Sequence, residues 1–329
     1  MNLHLVHALN ARRDTGHFPA GDVRRHRRRF SAAGLIRLLT ATCVLAVATI
    51  AGVQAAPEPS VRVLAAHPVV HAITGHLALN TGIAVELAVP DNLPPTRHSA
   101  YFSGRGAGQL NRLAGSADAV VTLRSAWPED PLYPHARRNN IRIVEIDAAR
   151  PVDGGLPGVA LHRDAAVDGQ YSWMDPTNLG RMADIVAHDL QRLAPRDEAT
   201  IAENLAEFKH RTVILNARVG TVLADKDNLS VFSLSDRLDY LATGFNLELT
   251  GRDARDDSTW SPETLDALTK HLTSEGVAAV LHHREPAAEI NQAILASGAH
   301  LVVLDAAGRD PIAEMMKNLE RLDAALGGR

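Results

Sequence analysis

The stretch Asp197–Ala224, DEATIAENLAEFKHRTVILNARVGTVLA, decides the fold. Ile201, Leu205, Phe208, Thr212, Leu215, Val219 and Val222 recur every four and three residues. That spacing predicts one helix with a single continuous stripe, apolar or aromatic everywhere except Thr212. Asp197 stands where an N-cap belongs, and Glu198 lies in the first turn, where the helix dipole favours negative charge. A rise of ~1.5 Å per residue gives a rod of roughly 40 Å, about the width of a small domain. Such a rod is either a surface helix of one α/β domain or a stiff connector between two α/β lobes. What flanks it favours the connector.

Upstream, β-rich runs at Val61–Ala65, Gly82–Val89, Ala119–Leu123 and Ile141–Ile146 alternate with helical patterns at Val69–Ala78, Gly108–Ala114 and Asp130–Arg138. Residues Asp147 to Gln170 are rich in Pro and Gly and read as a loop, and Asn178–Leu193 as a helix. Downstream the same grammar returns. Strands are expected at Leu229–Leu234, Asn246–Thr250, Ala278–Leu281 and His300–Leu304. Helices are expected at Asp236–Thr243, Pro262–Ser274, Ala287–Ser297 and Pro311–Leu326. Alternation of this kind means βαβ units and parallel sheets. The fold expected is α/β: two βα lobes with parallel sheets, joined by a long rigid helix. The lobes span 57–194 and 228–329, the linking helix 195–227, and the 329 residues supply a core for each lobe.

Residues 1–56 form an expected export signal. A basic segment ends in Arg24-Arg25-His26-Arg27-Arg28-Arg29, an apolar run covers Leu38 to Val53, and small residues follow at Ala55 and Ala56. Arg27-Arg28-Arg29-Phe30 is weakly similar to a twin-arginine signal. The apolar run is marginal in length for a membrane span. Cys43, the only cysteine, falls inside this signal, so the mature chain has no thiolate or disulfide chemistry and any soft-metal site must use His and carboxylates. Of 34 basic and 38 acidic side chains, eight and two lie in residues 1–37, leaving an acidic body of 26 against 36. That balance disfavours a nucleic-acid partner and suits cations. Aromatic residues, 4% of the chain, are too few for a base-stacking surface.

Ligands of open parallel sheets bind beyond the carboxyl ends of the strands. There the sequence places His67 after the first strand, His98 after the second, Ser235 and Asp236 after Leu229–Leu234, His282 and His283 after Leu281, and Asp305 after Leu304. Neutral imidazoles with a carboxylate suit Zn²⁺ or Mn²⁺. Adjacent strand residues face opposite ways, so one of His282 and His283 is expected in a shared site.

These segments resemble a known family. Trp173-Met174-Asp175-Pro176 is similar to a His-x-Trp-Leu-Asp-Pro motif, and Ala117-Asp118-Ala119-Val120-Val121, Tyr240-Leu241-Ala242 and Gly298–Asp305 follow in the family's order and spacing. Over roughly Val61 to Leu326 the chain resembles the ZnuA/TroA-like solute receptors of zinc and manganese ABC importers. The resemblance implies two lobes joined by a rigid helix, with a metal between them on about four side chains. It assigns ligand positions to His98, Tyr171, Ser235, His282 or His283, and Asp305. Tyr171 and Ser235 stand where the family has His. Tyr171 is read as a weak oxygen ligand or a supporting residue, and His67 is a possible substitute donor. His98-Ser99-Ala100-Tyr101 is one residue longer than the family's His-x-Tyr.

Enzyme signatures are missing. There is no Gly-x-Ser-x-Gly elbow and no phosphate loop, and His283-Arg284-Glu285 runs into Pro286. Gly104-Arg105-Gly106-Ala107-Gly108 reads as a turn. The expectation is a periplasmic, monomeric binding protein that carries a divalent metal ion, Zn²⁺ or Mn²⁺, to the membrane permease of an ABC importer. The alternatives are a receptor for a metal chelate or small anion, using Arg97 and Arg105, and an exported metal-dependent hydrolase.

Overall fold

The computed structural model describes residues 60–162 and 169–327. The expected export signal lies outside them. Two four-stranded parallel sheets carry the molecule. The first runs β2-β1-β3-β4, from β1 (Val61–Ala65), β2 (Ile83–Leu87), β3 (Ala119–Thr122) and β4 (Val144–Asp147). The second runs β6-β5-β7-β8, from β5 (Ser230–Ser233), β6 (Glu248–Arg252), β7 (Ala279–His282) and β8 (His300–Val303). The two orders are the same. Each sheet reverses winding beside its first strand, between β1 and β3 and between β5 and β7, and such switch points open a crevice at the strands' carboxyl ends.

The described helices are α1 (Pro68–Leu77), α2 (His98–Ser103), α3 (Ala107–Ser116), α4 (Leu132–Arg137), α5 (Pro176–Leu193), α6 (Glu198–Ala224), α7 (Asp239–Gly244), α8 (Pro262–Ser274), α9 (Ala288–Ser297) and α10 (Pro311–Leu326). Their starts are written in the sequence. Asp175 accepts from Thr177 N at 2.7 Å ahead of Pro176, and Asp310 accepts from Ala313 N at 3.2 Å ahead of Pro311. A side-chain acceptor followed by proline satisfies one orphan amide and removes another.

The long helix α6 is where the periodicity put it, at 27 residues. It buries Ile201, Phe208, Thr212, Leu215 and Val219, ending on Leu223, with Val222 only partly covered. Asp197 does not cap it with its side chain. Its Oδ2 accepts instead from Gly82 N, at 3.1 Å, at the entry to β2. Asn204 donates to the carbonyls of Leu77 and Leu79 at 2.9 and 2.8 Å. The front of α6 is therefore tied to the first lobe, while the helix also packs on α10 of the second, and Lys226, two residues past its end, pairs with Asp323.

The sequence suggests a separate core for each lobe. The structure has one shared inner core and two outer ones. Val63, Ala65 and Val121 of the first sheet belong to the same apolar cluster as Val231, Leu281 and Val302 of the second, through Leu179, Phe208, Leu215 and Leu319 of the helices. Alternate residues, Leu64 and Val120 or Phe232 and Val280, face separate outer clusters. Period-2 alternation in strands covered on both faces produces this layering. Thus α6 is a wall of the shared core as well as a connector.

Two segments read wholly or in part as loop are ordered differently. His98 opens the short helix α2, and Gly169–Met174 forms a 3-10 turn leading into α5. No helix of the described residues is long and apolar enough to cross a membrane.

Candidate functional site

In the first lobe, His67 and His98 lie beyond the carboxyl ends of β1 and β2. His67 is 3% exposed and caps α1, its Nδ1 accepting from Val69 N at 3.4 Å. A backbone amide can only donate, so the neutral ring carries its proton on Nε2, which has no partner. His67 therefore presents a donor and not a lone pair. Its edge meets Trp127, with ring centroids 5.8 Å apart.

His98 is fully buried, with Nε2 3.2 Å from the Leu93 carbonyl oxygen. A carbonyl can only accept, so the proton is on Nε2 and Nδ1 holds a lone pair without a partner. A ring held by N–H to a carbonyl, with its other nitrogen free, is oriented as metal-ligating histidines are. Burial lowers the pKa of both rings, that of His67 to about 3, and each stays neutral near pH 7. The proximity of His98 lowers His67 further.

In the second lobe, His282 ends β7 and is 4% exposed. Its Nδ1 accepts from His283 N at 2.8 Å, which again leaves Nε2 protonated. His283 differs: its Nδ1 lies 2.8 Å from Ser235 Oγ, and that hydroxyl accepts from Arg237 N at 3.2 Å. A hydroxyl can also accept from His283 Nδ1–H, which frees Nε2 as a ligand. Burial first, then charge, depresses both pKa values: His282 to about 4, helped by Arg284, and His283 to about 3, helped by Arg237.

Arg237 has no acidic partner among the described residues, and its guanidinium lies 5.4 Å from the centroid of Tyr171. Tyr171 is buried in the 3-10 turn before α5. Arg105, weighed as an anion anchor, instead covers Tyr101 at 5.6 Å.

Asp305 is exposed beyond β8. Asn318 fixes its backbone through both amide and carbonyl, at 2.8 and 2.7 Å, and Oδ1 accepts from Ala307 N at 3.0 Å. The buried Glu314 carboxylate holds the rest of this loop, accepting from the amides of Gly308, Arg309 and Asp310. The loop reaches the first lobe, where Arg309 donates to the Asp91 carbonyl at 3.0 Å. Gly308 takes φ +74°, and a Cβ there would stand 3.3 Å from Trp173 and from Val69. Gly308→Ala should cost about 1–2 kcal/mol, the left-handed penalty for a residue bearing a Cβ, read as a lower urea midpoint.

Among the described residues, no three His, Cys, Asp or Glu side chains stand in metal-holding geometry. The structure groups His98 with His67 in one lobe and His283 with His282 and Ser235 in the other. It does not bring these sets and Asp305 to a common point.

The family described as "Zinc-uptake complex component A periplasmic" matches residues 111–325. The chain belongs to this family. No curated protein sequence matches it. Solved structures give the same fold at low identity. The Zn(II)-bound ZnuA-like domain of AdcA from Streptococcus pneumoniae is 16% identical, covering 82% of this chain and 99% of that one at a TM-score of 0.62. The binding protein FpvC of P. aeruginosa with Ni2+ is 18% identical, covering 82% and 98% at 0.63. The deletion mutant of ZnuA with zinc bound is 20% identical, covering 82% and 99% at 0.63.

Within this zinc-uptake family fold, two features escaped the sequence reading. Arg237 gave no signal because an Arg two residues after a strand-end Ser is common on surfaces. The tautomers of His67 and His282 depend on amides contributed by the chain's own next turns, which only the backbone path reveals. They carry a stability consequence. His67 folds with a depressed pKa, so between about 3 and the ordinary 6.5 the unfolded chain binds a proton that the folded one refuses. Stability is fully present above pH 6.5 and declines as pH falls through that window. His67→Gln should flatten the decline of the thermal midpoint between pH 6.5 and 4, and an unchanged slope would assign the decline to other groups.

Proposed function

We propose that the chain is the capture component of an ABC importer, exported by residues 1–56 to the periplasm, where it works as a monomer. It takes one divalent cation, Zn²⁺ or Mn²⁺, between lobes 57–194 and 228–329 and hands it to a membrane permease. No bond is made or broken. The observation that carries this reading is the fully buried Nδ1 lone pair of His98, fixed by Leu93 and without a partner in the protein. An unpaired buried acceptor is costly to keep, and a metal ion satisfies it.

The proposed ligands are His98 Nδ1 from one lobe, with His283 Nε2 and the second carboxylate oxygen of Asp305 from the other. Tyr171 and His282 line the space and support them. Since three donors do not converge in the conformation described, capture involves closure of the lobes on the ion. A two-state closure is driven by the difference in affinity between open and closed forms. Equilibrium dialysis of the untagged mature protein against Zn²⁺, Mn²⁺ and Ni²⁺ at pH 7.5 tests the proposal. One equivalent of metal retained at micromolar free ion is the expected result. No retention of any of the three would end it.

A further inference from the structure

We propose that the ion is captured together with a small carboxylate anion, and that the guanidinium of Arg237 holds that anion. The inference rests on the metal-capture reading and names what completes the site. The starting observation is an unneutralised cation beside proposed metal ligands. Arg237 follows Ser235 by two residues, its amide bonded to the hydroxyl that orients His283, and its guanidinium lies over Tyr171 of the other lobe. Among the described residues no carboxylate pairs with it, although many other arginines here have one: Arg252 with Asp239, Arg284 with Asp257, Arg309 with Asp91.

Two arguments make an anion the missing partner. The first is donor count. His98, His283 and Asp305 supply three donors, while zinc in closed sites takes four. Ser235 is occupied by His283 and Arg237 N, so it does not supply the fourth. The second is charge. A divalent ion, one carboxylate and one guanidinium leave +2 in a partly buried gap, and like charges a few ångströms apart repel strongly at low effective dielectric. An anion with two oxygens meets both demands. One oxygen coordinates the metal, and the other accepts from a guanidinium, which has five donors and no acceptor. His282 at the end of β7, whose Nδ1 is already taken, keeps an Nε2–H as a further donor.

The test measures Zn²⁺ affinity, referred to free Zn²⁺, in sodium malonate and in sodium chloride of equal ionic strength at pH 7.5. Wild type should bind at least about tenfold tighter in malonate. Arg237→Gln should bind severalfold tighter than wild type in chloride, because a like charge is gone, and should gain nothing from malonate. Arg237→Lys should keep a reduced malonate gain, since a point charge replaces a two-pronged donor. A thermal midpoint for each variant separates these effects from misfolding. Equal wild-type affinity in the two buffers overturns the anion while leaving metal capture intact. Malonate bound tightly without metal, and lost in Arg237→Gln, overturns the joint site in favour of an anion receptor. An absence of zinc binding in both buffers removes the metal reading itself.

Discussion

His98→Gln should fold and should lose about 100-fold or more in Zn²⁺ affinity, more than the 10- to 100-fold typical of a supporting residue. Gln is chosen because its amide nitrogen stands as far from the backbone as Nε2 does and can donate to the Leu93 carbonyl in its place, so the α2 entry keeps its bond. What disappears is the Nδ1 lone pair. His98→Ala removes both, adds a cavity, and confuses lost binding with lost folding. The measurement is competition against a chelator of known affinity, beside a urea denaturation of each variant. If His98→Gln binds zinc as wild type does, His98 is a buried structural histidine and the first lobe contributes no ligand.

The pH dependence follows from the same ring. A metal competes with the proton for the imidazole lone pair, so affinity falls once the free protein is protonated there. Burial holds the His98 pKa below 6.5, with the Leu93 bond only partly restoring it, and His283 is pushed to about 3. Affinity should therefore stay nearly level from pH 8 to about 6.5 and fall only below the ordinary histidine range. A site of exposed imidazoles would already weaken near pH 7. Titration of bound Zn²⁺ against pH distinguishes the two.

Much of the scaffold was legible because period and punctuation agree in it. Pro262–Ser274 and Pro311–Leu326 begin at a proline after a side-chain acceptor, and their spans match the sequence reading at both ends. The inner strands β1, β3 and β7 are short and largely apolar, as strands covered on both faces are, and each of the eight described strands fell within a few residues of its expected span. His98 was harder. A buried helix start after Pro94-Pro95 looks like a loop in the sequence, because its burial comes from Phe102 and the outer cluster, not from any local stripe. Asp197 shows the opposite case. It had every local mark of a cap, but a tertiary partner, Gly82, took its carboxylate. The candidate site was legible as a set of positions, since strand ends are countable. Its chemistry was not, because the nitrogen that carries the proton depends on an amide or carbonyl supplied by the fold.

That dependence separates the two adjacent histidines of the second lobe. His283→Ala should cost about 100-fold or more in Zn²⁺ affinity, and His282→Ala only about 10-fold, the lower end for a residue that positions a ligand. His282 has given its Nδ1 lone pair to the His283 amide at 2.8 Å. Binding metal through Nε2 would move its proton to Nδ1 and set two donors against each other. His283 carries no such conflict, because Ser235 Oγ can accept from its Nδ1–H. Ser235→Ala should then cost about as much as His282→Ala, by releasing the ring without removing it. Depth of burial alone would rank the pair the other way, since His282 is the more buried of the two. Affinities of the three variants decide the matter: a larger loss in His282→Ala than in His283→Ala would mean that loading rebuilds the β7 end, with the His283 amide turned away and His282 taking the metal.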